Sequence, residues 1–393
     1  MSDHAKHWEV IVIGLGAMGA AALYQLARRG VRVLGIDRFH PPHDQGSSHG
    51  DTRITRLALG EGAHYLPLAR RSHEIWRELE AETNRRLFRQ VGGLVFSSAD
   101  GRAPAHGNAD FLQTTIDVAK HNGIPHEVLD ASAMSRRFPQ FRFAGDETGC
   151  FEPSAGLVHP ESCIAAQLEM AERLGAEMRT GERVLRWQFD GEGVSLETDG
   201  SRYRADRLTL TAGAWVPQLM PELVANARVC RQVLYWFETD GPAESFTDEH
   251  MPVFIRVPDA RAAMFYGFPA IDGSGGGLKI ATEQFDQTCA PDEVDRSVSP
   301  SEIAAMHELA APHVRITNRL VRAAVCKYTM TPDFHFVIDH HPSSERVWFA
   351  SACSGHGFKH SAAVGEALAQ TIMDGRSACD LTPFKLSRSA LQK

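Results

Sequence analysis

Glycines at positions 14, 16 and 19 follow a short apolar run (residues 10–13) and open a segment with helical spacing. A second apolar run (31–36) then ends on Asp37. These residue types at this spacing suit a bound dinucleotide. Gly14 permits a tight strand-to-helix turn, Gly16 lets a pyrophosphate approach the backbone, and Gly19 lets the helix pack on the strand. The N–H groups at the helix start face the phosphates. Asp37 is spaced to accept hydrogen bonds from the adenosine ribose. An ordinary glycine turn is the competing reading; two flanking strands with the acid in register favour the dinucleotide. A second glycine loop, Ser354-Gly355-His356-Gly357-Phe358-Lys359, also precedes a helical pattern. It reads as an anion- or carbonyl-binding loop or as a plain helix start, with Lys359 either neutralising a ligand anion or solvated.

The elements that must position these residues follow from periodicity. Leu68, Ile75, Trp76, Leu79 and Leu87 give residues 64–88 a helical stripe. Further helices are expected at 109–121, 161–174, 301–310 and 357–374, with strands at 92–96, 183–213, 233–238 and 325–351. The run ending in Ala212-Gly213-Ala214 suits a strand whose end abuts a cofactor, or an ordinary turn. The expected fold is α/β: a Rossmann-type domain, discontinuous in sequence (1–90, 150–220 and 322–393), with an α+β, sheet-based substrate domain (91–149 and 221–321). A net charge of −8 argues against nucleic-acid binding. Seven scattered cysteines without CxxC spacing suit a reducing compartment and exclude a zinc pattern. His40, His43 and His49 fit no standard metal site, and Asp333, His335 and Ser354 lack a nucleophile elbow. The polar first eight residues show no leader, and glycines interrupt the apolar stretch at 10–27, so a cytoplasmic protein without a membrane span is expected.

Longer motifs carry a family resemblance. Gly46-Ser47-Ser48-His49-Gly50-Asp51-Thr52-Arg53-Ile54-Thr55-Arg56 with Gly60-Glu61-Gly62 resembles the flavin-contacting signature of monomeric sarcosine oxidase and N-methyltryptophan oxidase. So do Tyr266-Gly267-Phe268-Pro269, Leu278-Lys279-Ile280, Cys326-Lys327-Tyr328-Thr329 with Pro332-Asp333, the 354–359 loop, and Asp380-Leu381-Thr382-Pro383-Phe384. These motifs occur in family order along nearly the whole chain. The resemblance implies a glutathione reductase-like or D-amino-acid oxidase-like flavoprotein. It implies FAD contacts from Gly14, Gly16, Ala17, Met18, Gly19, Asp37, Arg38, Ser47, Ser48, Arg53, Gly213, Gly355, Gly357, Phe358 and Lys359. Cys326, on its own a small buried hydrophobe, would carry a thioether to the flavin.

The resemblance also implies that Arg56 and Lys359 pair with the substrate carboxylate, where Arg53 and Arg56 alone would read as one solvated basic face. Lys279 would promote reaction of reduced flavin with oxygen by stabilising developing negative charge. Tyr266 and Tyr328 would line the substrate cavity, although tyrosine is as often core. Glu283 is a departure: sarcosine and N-methyltryptophan oxidases carry histidine there, while the fructosyl-amino-acid (Amadori) oxidases carry glutamate. A carboxylate at that place favours a cationic or hydroxyl-rich substrate, unless it points to solvent. The expected activity is FAD-dependent oxidation of secondary amines of N-methyl amino acids to primary amine, aldehyde and hydrogen peroxide, by a monomer. Alternatives are an Amadori or pipecolate-type oxidase, a nicotinamide-dependent dehydrogenase, or a non-catalytic dinucleotide sensor.

Overall fold

The computed structural model describes residues 7–99, 104–221, 227–259, 262–273 and 275–388. Strand β1 (His7–Ile13) lies parallel between β2 (Val33–Asp37) and the strand Arg202–Leu210. With Glu177–Thr180 beyond β2, and Val194–Thr198 and Val184–Phe189 beyond Arg202–Leu210, they form the first sheet. Ser344–Ser351 joins parallel to Arg202–Leu210 and brings Val337–His341 with it. Parallel strands are covered on both faces, so the apolar runs at 10–13 and 33–36 are fully buried. Helix α1 (Ala17–Arg28) packs on β1 and β2 and against the helices Pro160–Arg173 and Ser361–Asp374. The C-terminal helix thereby brings the 354–359 loop to the opening turn.

A second eight-stranded sheet runs in the order Ile316–Met330, Arg228–Thr239, Leu278–Thr282, Phe265–Phe268, Val253–Arg256, Gly93–Ser97, Thr148–Glu152, Glu127–Asp130. Its core is rich in phenylalanine, with Phe237, Phe254 and Phe265 fully buried. A third, three-stranded sheet pairs Arg53–Thr55 and Phe88–Arg89 with Gly156–Val158.

Three sequence expectations need correction. The helix expected at 64–88 is Leu66–Thr83, stopped by Asn84 in the left-handed conformation (φ 53°), which asparagine tolerates at a helix end. Leu87 is buried all the same, as the lead-in to the strand Phe88–Arg89. The boundary at 322 cuts a strand, because Ile316–Met330 pairs with Arg228–Thr239 along its length. Cys326 and Tyr328 therefore belong to the second sheet, as does all of Thr148–Glu152, which spans the boundary expected at 150.

Candidate active site

Gly14 has φ +86°, and a Cβ on it would lie 2.6 Å from Ala212 Cα. A Cβ on Gly19 would lie 1.7 Å from Gly14 O, so helix and turn can meet only without a side chain there. Gly16 differs: nothing lies within 4 Å of its Cβ position, which leaves its backbone open to a ligand. The first turn of α1 has no side-chain cap. Its free N–H groups suit a phosphate, and Gly14, Gly16, Ala17 and Met18 all line a cavity. Asp37, 6% exposed, accepts the Leu15 N–H at 2.7 Å and the Phe39 N–H at 2.8 Å. Its carboxylate retains acceptor capacity for ribose hydroxyls. Arg38, Ser47, Ser48, Gly213, Gly355, Gly357 and Phe358 line the same cavity.

The cavity continues into a chamber walled by Arg53, Arg56, Glu61, His106, Tyr266, Glu283, Tyr328 and Lys359. Neither Arg56 nor Lys359 is solvated. Both are buried and share one carboxylate, with Arg56 Nη2 at 2.7 Å from Glu61 Oε2 and Lys359 Nζ at 2.9 Å from Glu61 Oε1. Lys359 also donates to His356 O at 3.0 Å, and Arg56 donates to Ala58 O. Arg56 Nε has no partner among the described residues. Burial opposes the charge on Glu61, but Arg56 and Lys359 hold its carboxyl well below the ordinary range. Burial lowers the pKa of Lys359, and Glu61 counters that. Two cations and one anion leave the cluster with a residual positive charge in a desolvated place.

Tyr266 and Tyr328 meet through their hydroxyls at 2.9 Å, and burial raises both phenols. The Glu283 side chain is only 6% exposed, and this burial raises its carboxyl pKa. His106 Nε2 stands 3.3 Å from Glu283 Oε2. Arg53 donates to Ser47 O at 2.7 Å, with the same Nη2 3.7 Å from Cys326 Sγ. Cys326, Lys279 and Gly19 are not among the cavity-lining residues. Cys326 is 1% exposed, its Sγ 3.5 Å from Ser47 O, so Ser47 and Arg53 connect it to the cavity. Lys279 Nζ donates to Gly50 O, Thr52 O and Thr52 Oγ1 at 2.6, 2.8 and 3.1 Å, and lies 4.4 Å from the Phe268 ring centre. Burial and Arg53 push its pKa well down, while the three oxygens and the ring favour the ammonium.

Glu61 and His106 were not assigned roles from sequence. Glu61 stood in plain view inside Gly60-Glu61-Gly62, but its two partners could not be read there. His106 carries no local signal beyond a glycine after it. Among the described residues no helix is long and apolar enough to cross a membrane, and no three His, Cys, Asp or Glu side chains are grouped to hold a metal ion.

Comparison with known proteins places this chain in a class. The chain belongs to the FAD dependent oxidoreductase family, which it matches over residues 9–371. It is 38% identical to monomeric sarcosine oxidase of Bacillus sp. (strain B-0618), over 99% of this chain and 98% of that one. It is 34% identical to N-methyl-L-tryptophan oxidase of Salmonella arizonae, over 97% and 99%. Among solved structures, the open form of NikD, an unusual amino acid oxidase, superposes with a TM-score of 0.82 at 23% identity, covering 97% of each chain. The fructosamine oxidase of Aspergillus fumigatus (Amadoriase II) shares the fold at 18% identity and a TM-score of 0.77, covering 98% of this chain and 93% of that one. The glycine cradle, uncapped helix start and buried acceptor Asp37 fit the ADP half of FAD.

Proposed function

We propose that the chain oxidises the secondary amine of an N-methyl amino acid, of the sarcosine or N-methyltryptophan type, with oxygen as acceptor. One observation carries this reading: two buried cations, Arg56 and Lys359, share a single carboxylate within the cavity that begins at the dinucleotide cradle. A substrate carboxylate would supply the missing charge. Lys359 has a third N–H to offer beyond its two acceptors, and Arg56 has the unpaired Nε. Docking there fixes one end of the substrate, and holding the reacting C–N bond in place is a large part of catalysis. Glu283 then faces the amine, favouring a cationic group. When bound, FAD supplies the two-electron acceptor and passes the electrons to oxygen, giving hydrogen peroxide. The imine product hydrolyses to an aldehyde and a primary amine.

The roles of Cys326 as thioether and Lys279 as promoter of the oxygen reaction belong to this reading. The amine-oxidising reading is supported by full-length relatives named as sarcosine oxidase and N-methyl-L-tryptophan oxidase. Monomeric, cytoplasmic operation belongs to it too, supported by seven free cysteines and by the name of the sarcosine-oxidising relatives. Glu283 favours a second reading, a fructosyl amino acid whose hydroxyls a carboxylate can accept. An amine panel read by peroxide formation and by anaerobic bleaching of the flavin separates the two. No reaction with any secondary amino acid sinks both. A visible spectrum before and after acid precipitation tests Cys326: flavin staying with the pellet is expected, and flavin released wholly to the supernatant removes the linkage.

A further inference from the structure

His106 stands in a tight turn whose flanking residues, Ala105 and Asn108, exchange two backbone hydrogen bonds of 2.9 Å. Both central residues are left-handed, His106 at φ 47° and Gly107 at φ 75°, as a two-residue hairpin turn of this hand requires. Glycine adopts that conformation freely, whereas histidine is held in it only by its surroundings. Here the surroundings are specific. Asn108 Nδ2 donates to Gly60 O and to Thr114 Oγ1, each at 2.8 Å. The turn is thus pinned to the residue next to Glu61. The His106 ring packs edge-on to His356 at 5.2 Å and near Phe111 at 6.0 Å. Its Nε2 lies 3.3 Å from Glu283 Oε2, with side chains only 4% and 6% exposed. A Cβ on Gly355 would lie 2.9 Å from Glu283 Oε1 and 3.1 Å from His106 Cε1, so the pair closes over the 354–359 loop only because that residue is glycine.

We propose that His106 is a positioning residue for the amine end of the substrate: its Nε2–H donates to Glu283 and holds that carboxylate, as an anion, toward the substrate ammonium. Glu283 then takes the ammonium proton before oxidation. The N–H bond breaks, its electron pair stays on nitrogen, the proton passes to a Glu283 oxygen, and nothing is oxidised in this step. The inference rests on the secondary-amine reading above. Burial and Glu61 favour the neutral acid and raise the Glu283 pKa; His106 and Lys359 are the groups that oppose them and favour the anion. Tyr266 and Tyr328 also face it, and both stay protonated phenols because burial raises them. Loss of His106 would leave Lys359 alone on the ionising side.

The test uses the flavin-loaded enzyme and 2-aminoisobutyrate, a carboxylate with an ammonium but no hydrogen on its α-carbon. Its binding is followed by the shift it causes in the visible flavin band, beside anaerobic flavin reduction by sarcosine. Both should weaken as pH falls and Glu283 protonates. His106→Ala should move that acid limb to higher pH, with binding about tenfold weaker on the limb, the size of one charge-assisted hydrogen bond. His106→Gln, which keeps an N–H donor, should restore much of it. Glu283→Gln should abolish the limb and make His106→Ala silent on top of it. If His106→Ala does not fold, Asn108→Ala, which loosens the turn, should give the same shift. An unmoved limb with a uniform loss at every pH would mean a merely structural turn and overturn the inference. A wild-type flavin reduced by no secondary amino acid would overturn the reaction reading instead, while the binding limb still reports on His106.

Discussion

The proposed phosphate cradle at residues 14–37 and the proposed amine chamber around Glu61 and Glu283 line one cavity but are made of different material. The cradle is backbone: glycines that no other residue can replace at Gly14 and Gly19, free N–H groups, and one acceptor, Asp37. The chamber is side chain: Arg56, Glu61 and Lys359 in one buried ionic cluster, with Glu283 and His106 side by side nearby. Steric exclusion shapes the first and charge balance the second. Damage to the cradle should therefore act all-or-none on cofactor binding, and damage to the chamber in graded fashion on substrate.

The largest effect should come from Gly19→Val, whose Cβ would enter Gly14 O. Protein purified with little or no flavin is expected, read from the ratio of visible to ultraviolet absorbance. A normal flavin content would erase the contrast between the two regions. Next is Lys359→Met, which should lower kcat/KM of the flavin-loaded enzyme for an N-methyl amino acid about 100-fold, as loss of one partner from a buried charge pair does. Equal loss for an amine lacking the carboxylate would take Lys359 out of carboxylate docking.

Lys359 also sets a pH dependence. Its pKa is lowered by burial, so it carries charge below that pKa and loses it as pH rises through it. Binding of propionate, a carboxylate without an amine, should weaken as pH rises, and earlier than a free lysine near 10.5 would dictate. In Lys359→Met that limb should vanish. A smaller change is expected from Glu61→Gln. Removing the anion that Arg56 and Lys359 already share should tighten propionate about tenfold, and weaker binding would show that Glu61 chiefly orients the cations. The smallest effect is a control outside both regions. Ser299 and Glu302 form a capping box on the helix Pro300–Ala310, so Ser299→Ala should cost about 1 kcal/mol of stability and move neither flavin content nor KM.

The same contrast decides how much was legible before the structure. The cradle is local: strand, turn, helix and second strand follow one another within about thirty residues, and each announces itself by apolar period or by a glycine. The helices at 109–121, 161–174 and 301–310 were legible for the same reason, and lie at Phe111–His121, Pro160–Arg173 and Pro300–Ala310. The strand Ile316–Met330 misled, because a domain boundary read from a change in pattern does not see a partner strand some ninety residues earlier. Glu61 and Lys359 are 298 residues apart, so no local spacing reveals that they share a charge. His106 was missed because a strained turn is recognisable only once its φ and its neighbours are seen.

The sequence by itself pointed to a dinucleotide cradle at residues 14–37, to the α/β architecture around it, and, through motifs in family order, to the chemistry to expect. It could do so because short-range sterics and periodicity are written in neighbouring residues. The tertiary structure alone decided that Arg56 and Lys359 share Glu61, that Cys326 and Lys279 stand one residue behind the cavity wall, and that His106 meets Glu283. Charge pairing and burial depend on approach in space between segments hundreds of residues apart, and only the packed fold sets that approach.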